Sequence, residues 1–341
     1  MGESKWKKSI HYVLKAAKHF GDEPYMDFFL EREMNPLLLE FKQNGIGVPD
    51  KKILLIRENG KGWGFFAEFR AMLAKMVFAE KFGLVPYVEW GKQFLYSEKE
   101  PVDGTENAFE YYFRQPYDLT KQDILSDSYV TESKSAQGVI IEREYKRDTY
   151  EMTSEYQTKL AEMYHRYIRL NEKTKISIQA DLKNIFDGSK VLGVHFRGTD
   201  YKAGYQNHPV AVQLDQTIEQ VKKCLKENTF QKIFLATDEK SAVERFEAEF
   251  PGQVFCFRDV YRGEGNTSVA FSQSDRPQHH YRLGYEVFRD MYALASCDGL
   301  VAGLSQVVNC ARIVKESNGQ QYDTLCIINN GINVNGKQFT K

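Results

Sequence analysis

The sequence predicts an α/β protein with two domains that each contain a Rossmann-like parallel sheet. Short apolar segments alternate with helical segments along most of the chain, which is the pattern of repeated strand-helix units. The chain has 341 residues, whereas a single hydrophobic core stops growing at roughly 250 to 300 residues. We therefore expect an amino-terminal domain over residues 1–185 and a carboxyl-terminal domain over residues 186–341.

Composition and charge argue against several classes of protein. The 46 Lys and Arg residues nearly balance the 47 Asp and Glu residues, so no overall field favours nucleic acid. No apolar run reaches membrane-spanning length, and the amino terminus lacks the apolar core of a signal peptide. The five cysteines have no CxxC spacing, which is typical of reduced core residues. These features predict a cytoplasmic protein with no nucleic-acid partner.

The amino-terminal half contains one clear strand-helix-strand unit. A glycine-rich turn at 58–64 separates an apolar strand from a helix, and residues 95–150 are polar and predict loops over a cleft with a few short elements. The spacing from Ser154 to Gln157 is that of a capping box, which predicts a helix from Ser154 to about Leu170. The remaining expected elements are helical periodicity over 1–50, strands at 52–57 and 84–90, and a helix at 65–82.

The carboxyl-terminal half alternates strands and helices regularly enough to predict a Rossmann-like sheet. Two of its helices have apolar residues at spacings of three and four, around Leu214–Leu225 and Tyr281–Ala295, and each spacing marks one buried face. The expected strands are 191–197, 232–237, 254–257, 299–302 and 324–328.

The first of these strands ends in a cluster of polar residues. Residues 191–200 read VLGVHFRGTD, and strand alternation puts His195 and Arg197 on one face. Open α/β sheets bind ligands beyond the carboxyl ends of their strands, where Arg197, Thr199 and Asp200 are expected to lie. A guanidinium that never loses its charge suits a phosphate or diphosphate. The alternative is a structural ion pair between Arg197 and Asp200.

Two further strands end in polar residues at the same edge. The strand at 232–237 is followed by Asp238, and the strand at 299–302 leads to Ser305 and Gln306 at the start of a helix. The free N–H groups of a helix amino terminus help to hold a phosphate. The alternative for Ser305 is an ordinary N-cap. Three converging strand ends favour a ligand site.

Together these motifs resemble the α1,6-fucosyltransferases and the protein O-fucosyltransferases. The family pattern HxRRTDK, followed by a loop that ends in His-Pro, is similar to residues 195–200 with His208-Pro209. The pattern Ala-Thr-Asp is similar to residues 236–238, and Ser-Ser-Gln to Ser305-Gln306. Residues Gly60 to Gly64 resemble the glycine-rich turn of the family, and residues 106–113 resemble another of its segments.

The resemblance implies an enzyme of the GT-B type, in which two Rossmann-like domains face each other across a cleft. Such an enzyme inverts the sugar linkage without a metal or cofactor, with GDP-fucose as donor and a saccharide as acceptor. For a cytoplasmic protein this suggests a bacterial glycan precursor or surface saccharide, with peripheral contact to the membrane as one option. The oligomeric state stays open.

The resemblance also implies roles for individual residues. Arg197 neutralises the departing diphosphate, with Thr199 beside it, and His195 donates to a phosphate oxygen. Gly62 and Gly64 allow the backbone to approach the ligand. Asp290 accepts from the guanine edge, its alternative being a solvated helix residue. Ser305 and Gln306 complete the expected donor site.

Two departures from the family pattern leave alternatives open. Gly198 replaces the second arginine, and no glutamate lies between Lys202 and His208 to act as base. The base is therefore Asp200, Asp238 or Glu58. The alternative functions are the transfer of another GDP-linked sugar and nucleotide binding without catalysis. The pair His279-His280 suits helix entry or an acceptor-side loop better than a metal site.

Overall fold

The structure is a computed structural model. It describes residues 10–11, 13–14, 17–18, 21, 41–44, 51–60, 62–126, 128–145, 150–183, 185–263 and 268–336, with the backbone alone for Asp200 and Tyr201. Most of the helical periodicity expected over 1–50 lies outside the described residues. The described chain is a mixed α/β structure with parallel sheets.

The amino-terminal half contains a four-stranded sheet in the order β1-β5-β2-β3. Strand β2 pairs in parallel with both β3 and β5, whereas β1 runs antiparallel to β5. A short antiparallel pair, β4 and β6, lies apart from this sheet. The strands are β1 Phe41–Asn44, β2 Lys51–Arg57, β3 Val85–Glu89, β4 Phe113–Arg114, β5 Ser128–Glu132 and β6 Arg169–Leu170.

The carboxyl-terminal half contains a five-stranded sheet in the order β11-β10-β7-β8-β9, and every pairing in it is parallel. The strand order places β7 at the centre, where both of its faces are covered. This position explains why its residues are all buried and read as a nearly continuous apolar run. The strands are β7 Val191–Phe196, β8 Lys232–Thr237, β9 Val254–Phe255, β10 Gly299–Gly303 and β11 Thr324–Ile328.

Helices cover the faces of both sheets. In chain order they are α1 Phe65–Lys81, α2 Lys121–Leu125, α3 Ser135–Glu144, α4 Ser154–Tyr167, α5 Glu172–Lys183, α6 Leu214–Glu227, α7 Lys240–Glu249, α8 His279–Ser296 and α9 Gln306–Ser317. Helices α6 and α7 share a core with one face of the second sheet. The helices of the other face belong to a larger core.

This larger core joins the two halves of the chain. Side chains of α1 and α4 pack in one apolar cluster with side chains of α8 and α9 and with one face of each sheet. Phe288 of α8 lies 5.8 Å from Phe65 and 5.2 Å from Phe113, measured between ring centroids. Aromatic residues of the amino-terminal half therefore support the helices that cover the second sheet. The domain boundary at residue 185 stays a prediction.

The predicted strands and helices agree with the structure to within a few residues, with two corrections. The expected strand at 254–257 ends at Phe255. The N-cap of α4 is Thr153, whose hydroxyl accepts from the Tyr156 N–H at 3.2 Å, so the cap lies one residue before the predicted Ser154.

The few short elements predicted for residues 95–150 are present, whereas the expectation of loops over a cleft was wrong for part of the segment. The segment contains β5, which pairs with β2 at the centre of the first sheet. It also contains Phe109, Tyr111, Tyr112 and Phe113, all fully or almost fully buried. Its polar composition hid a short strand and an aromatic core segment.

The remaining sequence-wide expectations concern membranes and cysteines. Across the described residues, no helix has the length and apolar content that a membrane crossing requires. The five cysteines are free, and Cys224, Cys297 and Cys310 are buried.

Candidate functional site

A cleft of about 590 Å³, open to solvent, lies at the carboxyl ends of β7 and β8. The strand ends form one wall, and α8 and the segment after β9 form the others. Its lining residues are Tyr96, His195, Arg197, Ala236, Thr237, Asp238, Val260, Tyr261, Ser268, Val269, Ala270, Leu283, Glu286, Val287, Asp290 and Val307. Four of the predicted site residues, His195, Arg197, Asp238 and Asp290, line this one cleft.

The strand register brings the polar strand ends together. Phe196 lies opposite Thr237, so Arg197 and Asp238 follow at the same level. His195 lies opposite Ala302 of β10, which places the Ser305 turn at that edge. The convergence inferred from the sequence is therefore present in the sheet.

Asp238 is hydrogen-bonded on both carboxylate oxygens. Oδ1 accepts from the Gly198 N–H at 2.9 Å, and Oδ2 accepts from the Thr199 hydroxyl at 2.7 Å. Arg197 Nε lies 3.3 Å from Oδ2. A single carboxylate thus fixes three consecutive residues after β7. The ion-pair partner of Arg197 in the described structure is Asp238, while the carboxylate of Asp200 lies outside the described atoms.

Arg197 also reaches the opposite wall of the cleft. Its side chain is 25% exposed, and Nη2 donates to the Ser268 hydroxyl at 3.4 Å. One edge of the guanidinium is held by Asp238, which leaves the charge at the cleft surface. This placement suits the binding of an anion.

His195 is buried beneath Arg197. Burial lowers the pKa of His195 to about 4, and the positive charge of Arg197 contributes in the same direction. The ring is therefore neutral at physiological pH. The Ser305 hydroxyl lies 3.4 Å from Nδ1; if it donates there, Nε2 carries the proton and can act as a donor.

Asp290, on α8, differs from Asp238 because one of its oxygens has no partner. Its side chain is buried, and Oδ1 accepts no hydrogen bond from any described residue. Burial raises the pKa of Asp290 to about 7, although Arg262 and Arg289 oppose that shift. The alternative of a solvated helix residue is wrong. Buried polar atoms in native proteins are nearly always satisfied, so this oxygen is suited to a ligand donor.

Ser305 and Gln306 make contacts within the protein. The Ser305 hydroxyl accepts from the Val308 N–H at 3.2 Å, which makes Ser305 the N-cap of α9. Gln306 accepts from Arg70 Nε at 2.9 Å, and Arg70 also pairs with Glu142. Neither Gln306 nor Arg70 lines the cleft. Gln306 therefore links the carboxyl-terminal half to α1.

The remaining predicted residues lie at the edges of the site. Gly62 has a φ of 63°, a left-handed conformation that favours glycine, and Gly64 is the N-cap of α1. Thr199 is fully buried. Glu58, one of the three candidate bases, accepts from the Gly91 N–H at 2.9 Å. The structure does not place these four side chains or backbones in the cleft lining.

Gly198 lies where the family pattern has a second arginine. A Cβ atom at this position would lie 2.8 Å from the Glu239 Cβ and 2.9 Å from its Cδ. Lys202 Nζ pairs with both Glu239 oxygens at 2.7 Å. The space beside Arg197 is thus filled by an acidic side chain that a lysine neutralises.

The polar lining residues for which the sequence predicted no individual role include Tyr261, Ser268 and Glu286. Tyr261 and Ser268 belong to a polar segment without periodicity, and Glu286 lies on α8 between residues of the predicted apolar face. A signal for Glu286 did exist, since it is four residues before Asp290 and residues at that spacing share a helix face.

No group of three or more His, Cys, Asp or Glu side chains is placed to hold a metal within the part of the chain that is described. His279 instead contacts the Ser272 hydroxyl at 3.0 Å and Arg276 Nε at 3.3 Å. Both histidines of the His279-His280 pair lie in the first turn of α8, in agreement with helix entry.

No family model matches the chain, and no curated protein matches it. Among solved structures, the chain is similar to NodZ α-1,6-fucosyltransferase soaked with GDP-fucose, with 18% identity over 77% of this chain and 93% of that chain and a TM-score of 0.48. Fucosyltransferase NodZ from Bradyrhizobium has the same identity and coverage with a TM-score of 0.47. POFUT1 in complex with GDP is 9% identical over 83% of this chain and 99% of that chain, with a TM-score of 0.47.

Proposed function

We propose that the chain is a glycosyltransferase of the GT-B type that transfers fucose from GDP-fucose to a saccharide acceptor, with inversion and without a metal. One observation carries this proposal. A single cleft presents a guanidinium and a neutral imidazole near the strand ends and a buried carboxylate with an unpartnered oxygen on α8.

The strand end of the cleft suits the diphosphate. Arg197 is held by Asp238 with its charge at the cleft surface, and the neutral His195 ring adds an N–H donor without a second charge. As the bond between the sugar and the phosphate breaks, negative charge grows on the departing oxygen. Preorganised donors at that point stabilise the transition state.

The α8 end of the cleft suits guanine. A carboxylate accepts from two adjacent N–H groups, and guanine presents such a pair at its N1 and N2 positions, whereas uracil has a single ring N–H. Binding would supply the hydrogen bond that Asp290 Oδ1 lacks among the described residues. Asp290 would thereby favour GDP over UDP.

The acceptor hydroxyl must lose a proton as it attacks the sugar from the face opposite the diphosphate. Asp200, Asp238 and Glu58 remain the candidates for the base. Asp238 is poorly suited to this role because it already accepts hydrogen bonds from Gly198 and Thr199 and pairs with Arg197. Its geometry suits the positioning of Arg197.

A specific observation favours a second candidate function. Glu239 fills the space beside Gly198 that a second cation has in the family pattern. Because Lys202 neutralises Glu239, the diphosphate end has one positive charge fewer than that pattern provides. A module that binds GDP or a GDP-sugar without transferring it fits this change, as does an enzyme for another GDP-linked sugar.

The proposal is tested by thermal unfolding of the wild type and Arg197→Ala with GDP, GDP-fucose, GDP-mannose, UDP, UDP-sugars or NAD, each with and without EDTA. A ligand that binds the folded state raises the melting temperature by mass action. We expect GDP and GDP-fucose to stabilise the wild type equally with and without EDTA, and Arg197→Ala to lose most of that shift.

Two outcomes would count against parts of the proposal. If no guanine nucleotide shifts the wild type, or Arg197→Ala responds as the wild type does, Arg197 is a structural residue and the donor site is refuted. Incubation with GDP-fucose in the absence of an acceptor tests for slow hydrolysis of the donor. If GDP-fucose binds but no hydrolysis occurs, the non-catalytic module is favoured.

A further inference from the structure

Glu286 lies one helical turn before Asp290 and faces the same cleft, yet its surroundings differ. Its side chain is 8% exposed and pairs with Arg276. It also accepts from the Tyr261 N–H at 3.0 Å through Oε2. The charge of Glu286 is thus neutralised within the protein, so Asp290 is the carboxylate of this helix face left available to a ligand.

The two partners of Glu286 come from opposite ends of the segment that follows β9. Tyr261 lies near its start and Arg276 near its end, just before α8. Between them, Ser268, Val269 and Ala270 line the cleft. One buried carboxylate therefore anchors both ends of a wall of the cleft to the helix that carries Asp290.

Arg276 and His279 hold the ring of Tyr261. The Arg276 guanidinium carbon lies 5.8 Å from the centroid of this ring. The His279 ring meets it edge-on, with centroids 5.3 Å apart and an interplanar angle of 79°. Arg276 Nε donates to His279 Nδ1 at 3.3 Å, so Glu286, Arg276 and His279 form one connected support, here called the clasp.

The held ring lies at an apolar part of the cleft. Tyr261 lines the cleft together with Val260, Ala270, Leu283 and Val287. Asp290 lies one turn from Glu286, which binds the Tyr261 backbone. A flat ring held among aliphatic side chains, close to a carboxylate that reads N–H donors, suits a planar heterocycle.

We propose that Tyr261 stacks on the base of the bound nucleotide and that the clasp is a positioning unit that fixes this ring. The inference rests on the proposed function and deepens it, because it assigns a second determinant of base recognition beside Asp290. Tyr261 touches the ligand, whereas Glu286, Arg276 and His279 act through Tyr261.

The test measures the binding of GDP and of inorganic pyrophosphate by isothermal titration calorimetry. We expect Tyr261→Ala to weaken GDP binding roughly ten-fold, in line with the usual contribution of base stacking, and Tyr261→Phe to bind GDP as the wild type does. Glu286→Gln and Arg276→Gln should weaken GDP binding by a smaller factor. Pyrophosphate, which has no base, should bind all four variants as it binds the wild type.

The matched control is Glu247→Gln, which removes a carboxylate from the exposed pair of Arg258 and Glu247 and should change neither affinity. If the wild type binds no GDP, the proposed function itself fails. If the wild type binds GDP and Tyr261→Ala binds it equally well, stacking is refuted while the function stands. The positioning role of the clasp is refuted if Tyr261→Ala behaves as expected but Glu286→Gln and Arg276→Gln bind GDP as the wild type does. It is also refuted if these two variants lose affinity for pyrophosphate by the same factor as for GDP.

Discussion

The two ends of the cleft each contain an aspartate, and the two are partnered in opposite ways. Asp238, at the strand end, accepts hydrogen bonds from the Gly198 N–H and the Thr199 hydroxyl and forms an ion pair with Arg197. Asp290, on α8, has an oxygen that accepts nothing from the described residues. Asp238 therefore stabilises the folded chain, whereas the charge of Asp290 costs folding free energy unless a ligand supplies donors. Asp238 thus positions neighbouring residues of the site, whereas Asp290 keeps an acceptor oxygen that a ligand can use.

Asp238→Ala gives the largest expected effect on that comparison. The change leaves the Gly198 N–H and the Thr199 hydroxyl without their acceptor, and hydrogen bonds to charged groups contribute about 1.5–3 kcal/mol each. We expect the free energy of unfolding at pH 7 to fall by about 3 kcal/mol. Urea denaturation measures this loss, with the exposed Asp275→Ala as control. A loss as small as that of the control would remove the structural role of Asp238.

Asp290→Asn is expected to affect binding rather than folding. The amide keeps the shape but replaces one acceptor with a donor facing the guanine N–H groups, so the affinity for GDP should fall roughly twenty-fold. The free energy of unfolding should stay the same or rise, because a buried charge is removed. Calorimetric titration and urea denaturation of one preparation measure both quantities. A variant that loses stability but keeps its GDP affinity would reverse the comparison.

The pH dependence of stability should have opposite signs at the two ends. Burial raises the pKa of Asp290 from 3.8 to about 7, so between these values the folded state retains a proton that the unfolded chain has lost. Stability therefore falls as pH rises through this range, by at most about 1.4 kcal/mol per pH unit. For His195, whose pKa is lowered from 6.5 to about 4, stability falls as pH decreases from 6.5 to 4.

Two variants separate these contributions. Relative to the wild type, Asp290→Asn should gain stability as pH rises from 4 to 7, and His195→Gln should gain stability as pH falls from 6.5 to 4. Urea denaturation at half-unit pH steps gives both difference curves. Parallel curves for the wild type and Asp290→Asn would show that the carboxylate is ionised across the range.

Gly198→Ala gives the smallest expected effect. The added Cβ would lie 2.8 Å from the Glu239 Cβ, and an overpacked site costs about 1 kcal/mol or more. In a Glu239→Gly background, which also removes the Glu239 Cβ, the methyl group has room, so the cost should largely disappear. A double-mutant cycle measures the coupling between the two positions. A coupling free energy close to zero would show that the Glu239 side chain is not the reason for glycine at position 198.

The sequence predicted the second sheet more closely than the first. The bounds of β8 and β11 agree at both ends, because buried parallel strands form apolar runs between polar segments. Strand β5, with the sequence SYVTE, was missed because a short polar strand gives no such signal. Its place is determined by pairing with β2, which is distant along the chain.

The site was predictable where it depends on strand ends and unpredictable where it depends on partners. His195, Arg197 and Asp238 follow from strand alternation and from the common edge of a parallel sheet. Whether a carboxylate is satisfied depends on residues brought together by the fold, as with Asp238 and Thr199 or Glu286 and Arg276. For that reason the sequence did not distinguish how Asp238 and Asp290 are partnered, and it predicted no individual role for Tyr261.

The aromatic contacts of Phe288 with Phe65 and Phe113 have a consequence for how the protein is made. The helix that carries Asp290 rests on rings that leave the ribosome long before it does, so its docking surface exists in advance. A carboxyl-terminal fragment translated by itself would expose Phe288 and its apolar neighbours to water and tend to aggregate. The α8 end of the cleft therefore depends on both halves of the chain, and it would not form from the second sheet alone.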